Sequence, residues 1–185
     1  MSKVKRVTFF GSSEVKAEEK DYQDAYQVAK LLASKGFIVV NGGGPGIMRA
    51  ASEGAKAAGG KTIGVSFDPT GMTNFEGRDP KNILDEEIEV SSYTGRTAKL
   101  LELGDAHVFF RGGTGTISEF GMAWALARLY FASRKPLILF GSGWHEIMEA
   151  FGRNMCLRPE ELRAYRIVDS PEEAVEEIID LIGKP

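Results

Sequence analysis

What most constrains this chain is the order of its apolar runs. Seven short stretches, "VKRVTFF", "FIVV", "KTIGVSF", "EEIEV", "AHVFF", "PLILF" and "YRIVD", are rich in the β-branched and aromatic residues that suit a pleated, buried strand. The first is read as Val4 to Phe10. Segments with helical spacing lie between most of them. From Asp21 to Lys35, the residues Tyr22, Ala25, Tyr26, Ala29, Leu32 and Ala33 fall on one face, and Gly36 stands where such a helix stops. Further helices are predicted from the glycine-rich loop at 42–46 to about Ala58, from about Thr94 to Leu103, from Thr116 to Ser133, through "WHEIMEAFGRNM", and through "PEEAVEEIIDLI". Ser170 caps the last of these and Pro171 takes its first position.

Strands alternating with helices predict an α/β fold, a mainly parallel sheet covered by helices on both faces. Right-handed crossovers then place every strand-to-helix loop on one edge of the sheet. The loops Gly11–Ser13, Asn41–Gly46, Ser91–Arg96 and Arg111–Thr116 are expected to meet there, where ligands of open α/β sheets bind. Residues 68–84, rich in Pro, Gly, Asp and Asn, read as a surface loop near that ligand.

A chain of 185 residues suits one domain, taken as 1–185. Its net charge of −3 gives no global attraction for nucleic acid or an anionic membrane, so neither is expected as a partner. No run of about 18 apolar residues occurs to span a bilayer, and the opening residues do not read as a signal peptide. The single cysteine, Cys156, has no disulfide partner within the chain, which fits a reducing, cytoplasmic setting. It reads as a small core or interface residue. No spaced cluster of metal ligands is present, so no metal and no cofactor are expected.

Two glycine-rich loops carry the chemistry. In "GGGPGIM" (42–48), glycines allow backbone amides to approach a phosphate, and the following helix adds partial positive charge. It has neither the Lys-Ser/Thr of a P-loop nor the spacing of a dinucleotide fingerprint. "RGGTGTISE" (111–119) repeats the design. Thr116 and Glu119 have the spacing of a capping box, so Glu119 has two readings: a helix cap, or an acid facing whatever the loop binds. Arg96 stands near a helix start, where a cation needs an anion; Glu102, Asp105, Glu119 or a ligand would serve.

Together, "FFGSS", "GGGPGIMRAASEGAKAAGG", "GRTAKLLELGDAHVFF" and "GGTGTISE" resemble the LOG (Lonely Guy) family across roughly Val4 to Pro136. That resemblance implies a Rossmann-like doubly wound fold and a cytokinin riboside 5′-monophosphate phosphoribohydrolase type of activity, with AMP among the substrates of bacterial relatives. It makes Arg96 and Glu119 the catalytic residues. Gly112, Gly113, Thr114, Gly115 and Thr116 become the phosphate turn. Gly43, Gly44, Gly46 and Met48 become the first nucleotide loop, and Ser12 and Ser13 lie beside the ligand. It also implies a homodimer with a shared active site. The apolar segment "FGMAWALARLYF" (120–131), buried on two sides as a helix, agrees with an interface. Arg111 departs from the family's usual Pro and Thr97 from a usual Lys; Arg111 would hold an extra phosphate, pair with Glu119, or face solvent.

The expected reaction is hydrolysis of the N-glycosidic bond of a purine nucleoside 5′-monophosphate. The alternative is a non-catalytic protein of the same fold that binds a nucleotide or carries the molybdenum cofactor. The family's older label of lysine decarboxylase is rejected, because no lysine sits in a cofactor loop; Lys99 lies in a helix. His145, at a helix start, reads as a cap or surface residue, and His107 as a hydrogen-bonded core histidine.

Overall fold

A computed structural model describes residues 5–73, 75 and 77–183. Val4, expected to open the first strand, and positions 74 and 76 of the 68–84 segment lie outside the described residues. The elements run β1 (Arg6–Phe10), α1 (Lys20–Ser34), β2 (Ile38–Asn41), α2 (Ile47–Ala57), β3 (Thr62–Phe67), β4 (Glu86–Val90), α3 (Tyr93–Leu103) and β5 (Ala106–Phe109). They continue with α4 (Thr114–Leu129), β6 (Leu137–Phe140), α5 (Gly143–Asn154), β7 (Tyr165–Val168) and α6 (Pro171–Ile182).

The strands form one sheet in the order β4-β3-β2-β1-β5-β6-β7, and every neighbouring pair is parallel. Such a sheet must be covered on both faces, and alternation along each strand divides the core accordingly. Val7 and Phe9 of β1, with Ala106 and Val108 of β5, pack against α1, α2 and α6. Phe10 and Phe109 point the other way, into a second core built from α3, α4 and α5. This is the expected doubly wound, Rossmann-like architecture. The edge strand β4 carries Glu86, Glu87 and Glu89, charges that discourage pairing with another sheet.

Chain direction across the sheet reverses between β1 and β5, because β1 leads outward to β2 and β5 outward to β6. That switch point opens a crevice at the carboxyl ends of the two strands. Tight turns frame it. Gly46 has a φ of 64°, and a Cβ there would overlap the Ser12 carbonyl oxygen, so only glycine lets the two loops close on each other. Ile47 N donates to Ser12 O (3.0 Å), and Ser12 N to Arg111 O (3.1 Å).

The helix expected over Thr116–Ser133 begins two residues earlier and ends four sooner, with a short 3₁₀ turn over Phe131–Ser133. Gly113 is its N-cap, so Thr116 lies within the first turn and no side chain caps it. The capping box is therefore absent. Ser170 does cap α6, accepting from Glu173 N at 3.3 Å.

Candidate functional site

A cleft of about 750 Å³ lies at the switch point. Its walls come from the end of β1 and the loop after it, Gly42 and the start of α2, the N-terminal parts of α3 and α4, and Met72 and Phe75 of the 68–84 segment. Of the residues expected at the site, Ser12, Ser13, Met48, Arg96, Gly113, Thr114, Gly115, Thr116 and Glu119 line it.

Arg96 and Glu119 meet inside it. Both are buried, at 5% and 7% exposure, and Arg96 Nη1 lies 3.8 Å from Glu119 Oε1. Among the anions considered for Arg96, the fold selects Glu119. Glu102 pairs instead with Lys99 at 2.9 Å, and Asp105 accepts from Arg6 N at 2.8 Å. Arg96 is held by the scaffold as well: Nε donates to Val65 O (3.0 Å) and Nη2 to Gly42 O (2.9 Å), with Met48 Sδ 3.4 Å away. Burial lowers the Arg96 pKa against the opposing attraction of Glu119. Burial likewise raises the Glu119 carboxyl from 4.5 to about 7, with Arg96 pulling the other way. Desolvation wins over attraction because the ions are in loose contact rather than joined by a hydrogen bond. Burial thus favours the protonated form of Glu119 inside the cleft.

The two glycine loops are used differently. The first-turn amides of α4 have no partners within the helix, and Gly113 offers no capping side chain, so this turn presents donors and the positive end of the helix to the cleft. Gly43, Gly44 and Gly46 do not line the cleft. Gly43 N donates to Asn41 Oδ1 at 2.8 Å. The Gly43 carbonyl accepts from Asp79 N (2.9 Å) and Arg78 Nη1 (3.2 Å), and the Gly44 carbonyl from Asn82 Nδ2 (2.8 Å). This loop fastens the root of the 68–84 segment, and Gly42 leaves room for Arg96, whose guanidinium a Cβ would overlap.

Gly112 and Arg111 also stand outside the cleft and line a neighbouring cavity of about 540 Å³. Arg111 is exposed and pairs with Asp21 at 3.2 Å, not with Glu119. Sequence reasoning did not single out Met72, Phe75 or Tyr93, and it included Gly42 only within the 42–48 motif; all four line the cleft. Tyr93 was within reach, three residues before Arg96 and so on the same helix face. Phe75 left only a faint signal, a lone aromatic ring in a polar loop.

The other residues singled out in the sequence lie as follows. Cys156 is exposed in this chain, neither core nor cleft. His107 is buried among Phe10 and Phe109, yet its Nδ1 has no hydrogen-bond partner; burial, with Lys135 nearby, pushes its pKa down to about 3. His145 is exposed, as a surface residue should be. Helix α4 buries Phe120, Ala123 and Ala127, whereas Met122, Leu126 and Leu129 are exposed on the single chain. Among the described residues, no helix is long and apolar enough to cross a membrane, and no group of His, Cys, Asp and Glu is placed to hold a metal ion.

Comparison with known proteins gives this geometry a family context. Residues 4–167 match the model of the SLOG cluster4 family. A protein of Oryza sativa subsp. japonica, described as a probable cytokinin riboside 5′-monophosphate phosphoribohydrolase, is 33% identical over 153 residues; these are 81% of this chain and 65% of the rice protein. The chain thus spans about two thirds of that relative's length. The structure of the molybdenum cofactor binding protein from Rippkaea orientalis superposes with a TM-score of 0.74 at 24% identity, covering 98% of this chain and 99% of that one. DNA processing protein A of Helicobacter pylori, solved for its single-stranded DNA binding mode, superposes with a TM-score of 0.61 at 17% identity over 95% of this chain and 80% of its own. That last likeness corrects the expectation that nucleic acid is excluded as a partner. Net charge describes the whole surface, whereas this architecture serves a DNA-binding protein, so overall acidity does not rule such a ligand out.

Proposed function

The chain belongs to the SLOG cluster4 family, and from that premise we propose that its cleft binds a small ligand combining a phosphate with a planar heterocycle. The observation that carries this reading is the uncapped first turn of α4 facing the buried Arg96–Glu119 pair across one cleft. Amides of that turn, with the helix dipole behind them, suit a phosphate. The volume suits a nucleoside monophosphate or a phosphorylated pterin.

Two fates of the ligand are compatible with that site. In the first, it is held and released unchanged, as cargo. The comparison across nearly the full chain with a molybdenum cofactor binding protein favours this fate, and so does the engagement of Arg96 by backbone carbonyls. In the second, the N-glycosidic bond of a purine nucleoside 5′-monophosphate is hydrolysed. Glu119 favours this fate. As a carboxylate it would stabilise the positive charge that develops at the anomeric carbon and take a proton from the attacking water. Water adds to that carbon, the carbon–nitrogen bond breaks, and the base leaves with a proton. Arg96 would hold phosphate or ribose. Carriage has the wider support from the comparisons; hydrolysis rests on the pair and on the rice relative.

The exposed apolar side of α4, bordering a groove of about 460 Å³, suits burial against a second copy of the chain. Chromatography and binding titration of the protein with AMP, other nucleoside 5′-monophosphates and neopterin monophosphate test the whole reading. Free base that disappears on Glu119→Gln supports hydrolysis. Saturable binding without base release supports carriage, and absence of both overturns the cleft assignment.

A further inference from the structure

We propose that Phe75 and Tyr93 form a stacking platform for the heterocycle of the ligand. This rests on the phosphate-plus-heterocycle reading above and assigns its ring-recognition half.

Three aromatic rings meet on the side of the cleft formed by the end of β3, the 68–84 segment and the start of α3. Phe67, buried at the end of β3, lies 5.0 Å from Phe75 and 5.9 Å from Tyr93 between ring centroids. Phe75 and Tyr93 stand edge to face at 6.2 Å and 86°. Phe67 is the buttress, whereas Phe75 and Tyr93 are half-buried and line the cleft. Rings in this arrangement hold one another in place while retaining apolar surface for a further ring.

The platform is next to both other parts of the site. A Cβ at Gly115, in the phosphate turn, would come within 3.1 Å of Tyr93 Oη. The Arg96 guanidinium carbon lies 5.8 Å from the Phe75 ring centre, within cation–π range. A ligand with its phosphate on the α4 amides therefore has aromatic surface beside it. An aliphatic phosphate has nothing to place there.

Phe75 is also carried on an anchored segment. Asn82 is fully buried and donates to Gly44 O (2.8 Å) and Asn41 Oδ1 (3.2 Å), while Asp79 N donates to Gly43 O (2.9 Å). Arg78 joins Glu87 at 3.0 Å and also bonds the Asp79 and Asn82 carbonyls. The root of the segment is fixed to the first glycine loop, and Met72 and Phe75 line the cleft. Every heterocycle has a face to stack, so the platform sets affinity for rings as a class.

Titration calorimetry with three probes tests this. Formycin 5′-monophosphate is a purine C-nucleotide whose carbon–carbon glycosidic bond resists hydrolysis. Neopterin monophosphate carries a pterin, and ribose 5-phosphate has no ring to stack. At least one ring-bearing probe should bind the wild-type protein more tightly than ribose 5-phosphate does. Phe75→Ala should weaken that probe about tenfold or more and leave ribose 5-phosphate unchanged. Phe75→Tyr should restore ring binding and Phe75→Leu should not, which separates stacking from bulk. Equal loss for ribose 5-phosphate and the ring-bearing probes, or no loss for either, overturns the platform while leaving the phosphate cleft standing. Failure of all three probes to bind the wild-type protein overturns both.

Discussion

The loops at 42–46 and 112–116 look alike in sequence, each a cluster of glycines between a buried strand and a helix, yet the fold employs them in opposite ways. The first is closed: Asn41 takes its Gly43 amide, the 78–82 stretch takes its carbonyls, and Gly42 lies against Arg96. The second is open, with α4 beginning uncapped at the cleft. Clustered glycines thus mark where backbone must come close to something. Whether that neighbour is a ligand or the protein itself depends on which donors remain free.

Substitutions in the two loops would break or sharpen this contrast. The largest effect is expected from Gly46→Ala, which combines left-handed backbone with overlap against the Ser12 carbonyl. Urea unfolding should show a loss of about 3 kcal/mol or more. Glu119, on the helix that the open loop begins, should give a pH-dependent effect of similar size. Its carboxyl is raised from 4.5 to about 7, so the folded state holds this proton more tightly than the unfolded chain. The stability from that proton is complete below pH 4.5 and is lost as pH rises through about 7. Relative to Glu119→Gln, the wild-type protein should lose about 3 kcal/mol across that window. A difference between the two proteins that stays constant with pH would show that the carboxyl is not perturbed.

Gly42→Ala should come next. Its Cβ takes the space of the Arg96 guanidinium, so a loss of about 2 kcal/mol is expected, together with weakened binding of phosphorylated ligands. Gly113→Ala should cost least in stability, within about 0.5 kcal/mol, since its φ is −91° and nothing lies within 4 Å of an added Cβ. Ligand affinity should nevertheless fall, because Gly113 lines the cleft at the uncapped start of α4. Unchanged affinity in Gly113→Ala would argue that the open loop does not hold the ligand.

Much of this was legible in the chain. Seven strands and six helices follow from periodicity, and the sheet edge carrying the site follows from the handedness of the crossovers. The start of α4 was misread because Thr116 and Glu119 have capping-box spacing; Gly113 and Thr114 gave no sequence signal strong enough to outweigh it. The family resemblance implies glycines 43, 44 and 46 at the ligand, and the partners that bond this loop's carbonyls in the structure come from residues some forty positions away. The aromatic platform was missed for the same reason: Phe67, Phe75 and Tyr93 have no common period, and only folding assembles them.

The sequence by itself determined the layered α/β architecture, the meeting of four loops at one edge, and the residue types from which a phosphate site is made. Local periodicity and backbone chirality are properties of nearby residues, so they can be read along the chain. Tertiary structure alone decided that Glu119, rather than Glu102 or Asp105, faces Arg96, that Arg111 turns away to Asp21, and that Glu119 sits dry enough to hold a proton near neutrality. Pairing and desolvation depend on what lies across the fold, and that distance in space is not written in the distance along the sequence.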